Sequence, residues 1–407
     1  MHTLTVTLKQ HTPLIHFQHD QEGATLRASE VKPRLDKFVL SKLTLEEKES
    51  GEREGWIKDK NGKTWLDYRL RVYAEGINEP VDPNEFVRYK SNGKPEYKKS
   101  PMFFANIGDK TEKKYYTLCD KCKLTFFTSS LMLRDRLAEF VGDFFIRNNF
   151  GTRQSKGYGS FSLSSSSPKT IVHSKNLLFF SVYGDREMLF EEMEWFHKAL
   201  RGGINDCFGK RLYFKSLMFS FAKNIKEQQW EKKTIKQCYY PRILEQQMDD
   251  HKKSDLLLYK NNHYDTNDVH YSFRDCLGLS SLEQWKEPYN KTIKKENATI
   301  ERFKSPITLK PVFIEKENRW KVYVIWEELP TEYLGAKFKV TSNDIGDLKL
   351  TIPPDFSIKE YFDYLFKKNS DGSFSVDIRS LFLVRDNVSK MNEIIRIFDE
   401  LRSNYNL

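Results

Sequence analysis

The chain has no run of apolar residues near the ~20 that a helix needs to cross a bilayer. Its N-terminus alternates apolar and polar residues over 3–9 and lacks the apolar core of a secretory signal peptide. Cysteine is scarce in these 407 residues, and the five that occur are widely spaced, unlike the disulfide framework of a secreted domain. These absences predict a cytoplasmic protein with reduced thiols and no membrane partner.

The fingerprints of common cofactor and hydrolase sites are also missing, since the sequence has no P-loop, no Rossmann glycine motif and no serine-hydrolase elbow. We therefore predict no cofactor. Cys119-Asp-Lys-Cys122 has the spacing of half a zinc site, but a structural zinc needs four ligands and no second close pair exists. Two unliganded thiols are the favoured interpretation of Cys119 and Cys122, and a zinc site is the alternative.

Acidic residues are fewer than basic ones, 57 against 67. The formal net charge is +10 at pH 7, and residues 306–407 carry none of the basic excess. Residues 201–236 hold nine Lys or Arg against three acidic residues, with Tyr213, Phe214, Phe219 and Trp230 among them. Basic residues interleaved with aromatic ones can hold single-stranded nucleic acid through phosphate contacts and base stacking. An amphipathic helical segment with these aromatics in its core is the alternative.

The order of predicted elements indicates an α+β fold. Periodicity predicts strands at 3–9, 124–128 and 160–163, with helices at 29–42 and 131–148. After four serines at 164–167 and Pro168, it predicts a strand at 177–183, a helix at 187–200, a hairpin turning at Lys316–Arg319, and helices at 358–367 and 390–402. Strand–helix–strand–strand–helix–strand order, twice, is typical of ferredoxin-like units. We predict two such domains, residues 1–168 and 169–407, the second with a largely helical insertion at about 202–300.

The most informative stretch is a glycine-rich loop at 151–159, where Gly151, Gly157 and Gly159 bracket Arg153 and Lys156. Glycine allows a backbone to take a positive φ and to approach a ligand closely. Two cations and several free N–H groups in such a loop suit a phosphate chain. A glycine-rich turn that leads into a strand is the alternative interpretation.

A second basic segment lies at the start of the predicted helix at 29–42, which Ser29 can cap. Arg27 precedes this helix, and Lys32, Arg34 and Lys37 fall in its first turns. Cations at a helix N-terminus do not help the helix dipole, whereas free N–H groups there favour an anion. The segment is therefore a candidate phosphate contact, with a solvated basic face as the alternative.

The two segments together resemble the RAMP superfamily of CRISPR-associated proteins. The resemblance rests on Ser-x-x-Lys-x-x-Leu at 29–35 and on Gly-x-Arg-x-x-Lys-Gly-Tyr-Gly-Ser-Phe at 151–161. Thr12-Pro13-Leu14 and Leu26-Arg27-Ala28-Ser29 make the chain most similar to the first RAMP subunit of the type III-B Cmr effector complex. Lys310-Pro311 is similar to part of a hairpin in second RAMP domains, whereas Pro33 stands where the family usually has glycine.

The resemblance implies two ferredoxin-like (RRM-like) RAMP domains in a subunit that has no catalytic role. Such a subunit binds guide RNA, or the duplex of guide and complementary target RNA, by its phosphate backbone and docks on neighbouring RAMP subunits in antiviral defence. The residues that would contact RNA are Arg27, Ser29, Lys32, Arg34, Lys37, Gly151, Arg153, Lys156, Gly157 and Gly159.

Two other functions stay open. A guide-processing endoribonuclease of the same superfamily could use a histidine in or beside the first loop as general base, and the candidates are His11, His16 and His19. Asp20 in that loop is similar to the aspartates with which some RAMP subunits cut target RNA. No acid–base pair is evident from spacing, so we expect the chain not to be an enzyme. A basic α+β scaffold protein outside CRISPR systems is the remaining possibility.

Overall fold

A computed structural model describes most of the chain. The described residues are 1–15, 25–77, 87–89, 95–97, 117–164, 177–206, 210–246, 268–285, 291–342 and 345–405. They form two compact units, one of residues 1–193 with 308–325 and one of residues 194–307 with 326–407. The domain boundary predicted at residue 168 lies outside the described residues.

The first unit is built on a four-stranded antiparallel sheet. Its elements, in chain order, are β1 (His2–Gln10), α1 (Ala28–Lys42), α2 (Leu45–Arg53), β2 (Ile57–Lys60), β3 (Lys63–Leu66), β4 (Tyr68–Ile77), β5 (Val87–Tyr89), β6 (Pro95–Tyr97), β7 (Cys119–Thr128), α3 (Leu131–Arg147), β8 (Phe161–Leu163), β9 (Leu177–Val182) and α4 (Arg186–Arg201), which continues into the second unit. The sheet order is β4-β7-β1-β8, and each neighbouring pair is antiparallel. Strands β1 and β7 are central, and α1 and α3 follow them, which is the ferredoxin-like arrangement. The α+β prediction is confirmed.

Strand alternation sets the two faces of this sheet. Leu8, Leu124 and Phe126 point to the same side and pack in one core with Val31 of α1 and Leu137 of α3. Their neighbours in sequence therefore point to the other side, towards solvent. Helix α1 begins at Ala28 rather than at Ser29, and its N-cap residue is Arg27, which makes no side-chain cap. The predicted Ser29 cap is wrong because Ser29 is already inside the first turn.

A three-stranded sheet of order β14-β15-β9 completes the first unit, where β14 is Ile307–Ile314 and β15 is Arg319–Trp326. Strand β9 pairs antiparallel with β15. A short 3₁₀ turn at Glu315–Glu317 and Asn318, with φ of 46°, link β14 to β15. The predicted hairpin and its turn are confirmed.

The second unit contains two further sheets and four helices in the described part. Its elements are β10 (Ile204–Asp206), β11 (Leu212–Phe214), α5 (Leu217–Asn224), α6 (Glu231–Gln246), β12 (Leu282–Trp285), β13 (Lys291–Glu296), β16 (Lys337–Ser342), β17 (Ile345–Thr351), α7 (Ile358–Phe366), β18 (Phe382–Arg385) and α8 (Val388–Asn404). The sheet orders are β10-β11-β18 and β12-β13-β16-β17. The stretch 202–300 thus contains α5 and α6, together with the short pairs β10-β11 and β12-β13, of which β11 and β13 also pair with strands far along the chain. Local periodicity gives little signal for such strands.

None of the described helices is long and apolar enough to span a membrane.

Candidate nucleic-acid interface

Arg34 of α1 is bound to the residues just before the glycine loop. Its Nη1 donates to the carbonyl oxygen of Asn149 at 2.8 Å, and its Nη2 donates to Asn148 Oδ1 at 2.7 Å. The guanidinium also lies 4.9 Å from the ring centroid of Phe150. The structure therefore brings the two sequence segments together, but it does so through Arg34 acting as an internal anchor.

Glu30 lies in the first turn of α1, one turn before Arg34, where the sequence predicted an anionic ligand. Its Oε1 accepts the backbone N–H of Gly151 at 2.8 Å. Burial raises the pKa of Glu30, while this hydrogen bond and the charge of Arg34 oppose that rise. A carboxylate of the protein itself therefore satisfies one of the N–H groups predicted to face phosphate.

The three glycines of the loop are buried and have positive φ values of 76°, 84° and 63° for Gly151, Gly157 and Gly159. A Cβ on Gly151 would overlap the carbonyl oxygen of Ile15, and one on Gly159 would overlap that of Phe150. The N–H of Gly157 donates to Gln154 and that of Gly159 donates to Pro13. Glycine is thus needed here because the loop packs closely against its own chain, and the prediction that these N–H groups are free is wrong.

A second cation, Lys310, fixes the loop from the other side. Lys310 of β14 is fully buried, and its Nζ donates to the carbonyl oxygens of Asn148 at 2.9 Å and Phe161 at 2.8 Å. Burial lowers the pKa of Lys310 well below its usual value. The Asn149 side chain donates to Gln154 and to Leu309 at 2.7 and 2.8 Å. The loop is held at both ends by side chains that are distant in sequence.

Lys32 is also engaged within the protein. Its Nζ donates to Asp36 Oδ2 and to the carbonyl oxygen of Leu66, both at 2.8 Å, and lies 4.0 Å from the Tyr68 ring centroid. These contacts tie α1 to strands β3 and β4. They give Lys32 a structural role that the sequence did not indicate.

The other predicted contact residues face solvent to differing extents. Arg27, Ser29 and Lys37 of α1 are exposed, and Arg153 and Lys156 in the loop are half-buried. Arg153 has a φ of 56°, an uncommon value for a residue with a side chain. A contact between RNA and these five residues stays a prediction.

His11 lies in the core. It is 4% exposed; its Nε2 is 2.7 Å from Ser162 Oγ, and its Nδ1 accepts the N–H of Phe313 at 3.2 Å. Burial, with the positive charges of Lys310 and Lys9, lowers the pKa of His11 to about 3. These contacts indicate a structural role for a neutral imidazole rather than a general base facing substrate. His16, His19 and Asp20 lie outside the described residues.

Cys119 and Cys122 are buried free thiols on β7. The Cys119 thiol lies 3.1 Å from Gln10 Oε1, which also accepts the Cys119 N–H. No group of three metal-ligating side chains occurs among the residues that the structure describes.

The solvent side of the β4-β7-β1 sheet was missed by the sequence analysis. We call it the outer face, and it is formed by Thr3, Thr5, Arg69, Arg71, Tyr73, Glu75, Lys121, Lys123, Thr125 and Phe127. Its four cations outnumber its single carboxylate. The register sets Arg69 beside Phe127 and Tyr73 beside Lys123. The signal was present in β4, where Arg69, Arg71 and Glu75 alternate with Leu70, Val72 and Ala74, and more weakly in β7, where Lys121 and Lys123 flank the buried Cys122.

Aromatic rings on the outer face lie next to cations. The guanidinium of Arg71 is 5.7 Å from the ring centroid of Phe127. Tyr73 is 62% exposed, so its ring is accessible from solvent. A flat surface of this kind offers charge to phosphates and ring faces to bases.

The βαββαβ unit with its clamped glycine loop defines a ferredoxin-like α+β protein. Family models identify it further: that of the Cmr1 N-terminal domain matches residues 1–204, and that of the Cmr1 C-terminal domain matches residues 213–385. The chain belongs to the Cmr1 family, and membership implies a subunit of the type III-B Cmr effector complex.

Among solved structures, the chain is similar to apo Cmr1 from Pyrococcus furiosus, with 11% identity and a TM-score of 0.32. That similarity covers 81% of this chain and 90% of the other. A comparison with curated protein sequences finds no significant match.

Proposed function

We propose that this protein is a non-catalytic RNA-binding subunit of a type III-B CRISPR effector complex, active in antiviral defence. It binds guide RNA, or the duplex of guide and target RNA, by the phosphate backbone and docks on neighbouring RAMP subunits. The observation that carries the RNA-binding proposal is the outer face, where four cations and two aromatic rings share one side of a ferredoxin-like sheet.

The geometry of the outer face supports this role. Residues two apart on one strand are ~7 Å from each other and point to the same side. Arg69 and Arg71 therefore form a row of cations along β4, and Lys121 and Lys123 form a second row along β7. Phe127 lies opposite Arg69 and Tyr73 lies opposite Lys123, so each ring offers a stacking surface beside a cation. Arg27, Lys37, Arg153 and Lys156 would extend the phosphate contacts beyond the sheet.

The buried state of His11 favours the non-catalytic function over a nuclease that uses this histidine. A general base must reach the proton that it removes. His11 instead contacts Ser162 and the backbone of Phe313.

Fluorescence anisotropy with labelled CRISPR repeat RNA tests the RNA-binding proposal, with the full chain and at several salt concentrations. Arg71→Ala and Lys123→Ala should each weaken binding about tenfold and lower the salt dependence by about one phosphate equivalent. Lys63→Ala is the matched control, because Lys63 is exposed on the separate β2-β3 sheet. Equal affinities for all three variants would contradict RNA binding by the outer face.

Incubation of the purified chain with the same RNA, with and without a divalent metal, tests the absence of catalysis. Intact RNA under both conditions is expected. Cleavage by the chain alone would overturn the non-catalytic assignment and would direct attention to His16, His19 and Asp20.

A further inference from the structure

The second unit contains a cavity of about 370 Å³ that the RNA-binding proposal does not use. Its lining includes the three lysines Lys215, Lys232 and Lys236 and four aromatic residues, among them Phe219 and Trp230. None of the lining residues is acidic. All belong to the basic, aromatic stretch 201–236, whose role the sequence left open between nucleic-acid contact and core packing.

Two helices begin at this cavity. Ser216, the N-cap of α5, lines it, as does Trp230, which directly precedes α6. Helix N-termini carry partial positive charge and favour anions. Gly202 lines another wall and has open space at its Cβ position, so a ligand can approach the backbone there.

The rings and the cations share the same space. Phe219 and Trp230 are perpendicular neighbours with centroids 5.7 Å apart. The Nζ of Lys215 lies 5.8 Å from the Phe219 centroid. A flat heteroaromatic group placed against these rings would therefore have ammonium groups within reach of an attached anion.

The charges behind the cavity do not balance. The cations are Arg201, Lys232, Arg274 and Lys295, and the carboxylates are Asp275, Glu231 and Glu283. Arg274 is paired with Glu231 and Glu283, Lys295 with Asp275 and Glu283, and Arg201 lies 3.6 Å from Asp275, so three cations match the three carboxylates and Lys232, on the cavity side, is the fourth. Burial and the nearby Arg274 lower the pKa of Lys232 to about 8. An anion in the cavity would neutralise this surplus.

We propose that the cavity binds one nucleotide, with its phosphate on Lys215, Lys232 and Lys236 and its base against Trp230 and Phe219. The nucleotide is either free or part of an RNA strand, since the chemistry of recognition is the same. This site extends the proposed RNA-binding function to the second unit but depends on a separate set of residues.

The test uses the full chain with two probes, AMP in calorimetric titrations and a short labelled oligoadenylate in anisotropy. Lys232→Met removes the surplus charge while keeping the length of the stem, and Trp230→Ala removes a stacking surface. Lys233→Met is the matched control, since Lys233 is the next residue on α6 and is exposed outside the lining. Thermal unfolding of each variant verifies that it is folded, and Lys236→Met replaces any variant that is not.

AMP binding that falls about tenfold or more in the lining variants, and not in Lys233→Met, supports the proposal. A parallel loss of oligoadenylate binding assigns the site to a nucleotide of an RNA strand, whereas loss of AMP binding alone assigns it to a free nucleotide. The proposal is overturned if the wild type and the lining variants bind both probes with equal affinity. It is also overturned if AMP does not bind at millimolar concentration and oligoadenylate binding is the same in the lining variants as in the wild type. Arg71→Ala and Lys123→Ala, tested in parallel, show whether the outer face binds RNA, so a negative result at the cavity is distinguished from a negative result at the outer face.

Discussion

Replacement of Arg34 by Met should destabilise the protein without removing an RNA contact. The Arg34 guanidinium donates to Asn149 and Asn148 and lies over the Phe150 ring. Hydrogen bonds from a charged group contribute about 1.5–3 kcal/mol each, and a cation–π contact contributes about 0.5–2 kcal/mol. Because such contributions are not additive and 31% of the side chain is exposed, we expect a total loss of about 3 kcal/mol.

Two measurements check this expectation. The free energy of unfolding comes from urea titration of the full chain. Hydrogen exchange, followed by mass spectrometry, should show faster exchange in peptides that contain residues 149–161, because the loop loses one of its anchors. Arg34→Lys should recover part of the stability, since a lysine keeps the charge but lacks the planar pair of donors.

Lys37→Met provides the matched control, because Lys37 is exposed on the same helix. It should leave the free energy of unfolding within about 0.5 kcal/mol of the wild-type value. The refuting result is an Arg34→Met variant with wild-type stability and exchange whose RNA affinity falls as far as that of Arg71→Ala. Such a result would mean that Arg34 binds phosphate, as the sequence alone suggested.

Three other predictions concern stability. Gly159→Ala should cost several kcal/mol, since its Cβ would overlap the Phe150 carbonyl, whereas Gly62→Ala, with φ of 73° and open space, should cost about 1 kcal/mol in the same urea titration. Lys295→Met removes the ammonium group that pairs with the buried Asp275 and with Glu283, leaving Asp275 only Arg201 at 3.6 Å and the Ser272 hydroxyl, and should cost about 3 kcal/mol, whereas Met at the exposed neighbour Lys294 should have little effect. The pKa of His11 is about 3 in the folded protein and 6.5 in the unfolded reference, so the unfolded state binds the proton first as the pH falls. The free energy of unfolding should therefore fall by about 2 kcal/mol between pH 7 and 5. His11→Asn should lack this part of the pH dependence.

The first ferredoxin-like unit could be predicted because its elements carry strong local periodicity. Strands β1 and β7 alternate, and α3 has an apolar stripe, so their order alone indicated the fold. The small strands of the second unit could not be predicted, because β10 and β11 have three residues each and the pairing of β11 with β18 depends on distant sequence.

The pairing of α1 with the glycine loop was evident in the sequence, but its physical meaning was not. Lys32 and Arg34 resembled a solvated or phosphate-binding basic face because composition does not show that Asp36 and Asn149 lie within reach. Glu30 received no role in the sequence analysis, although its carboxylate binds the loop. Burial and tertiary partners determine whether a cation is available, and neither can be inferred from spacing.

The two cations with internal partners at the loop, Arg34 and the buried Lys310, change the interpretation of the shared motif. Arg34 approaches from α1 and Lys310 from β14, and both bind the short segment that joins α3 to the loop. The Lys310-Pro311 motif and the 29–35 motif therefore meet at one structural point, although nearly three hundred residues separate them. Because both cations donate to backbone carbonyl oxygens, their replacement should lower the free energy of unfolding more than it lowers RNA affinity. The motif thus indicates how the loop is held in place, and the proposed RNA contacts lie mainly on β4 and β7, with Arg153 and Lys156 as the contribution of the loop itself.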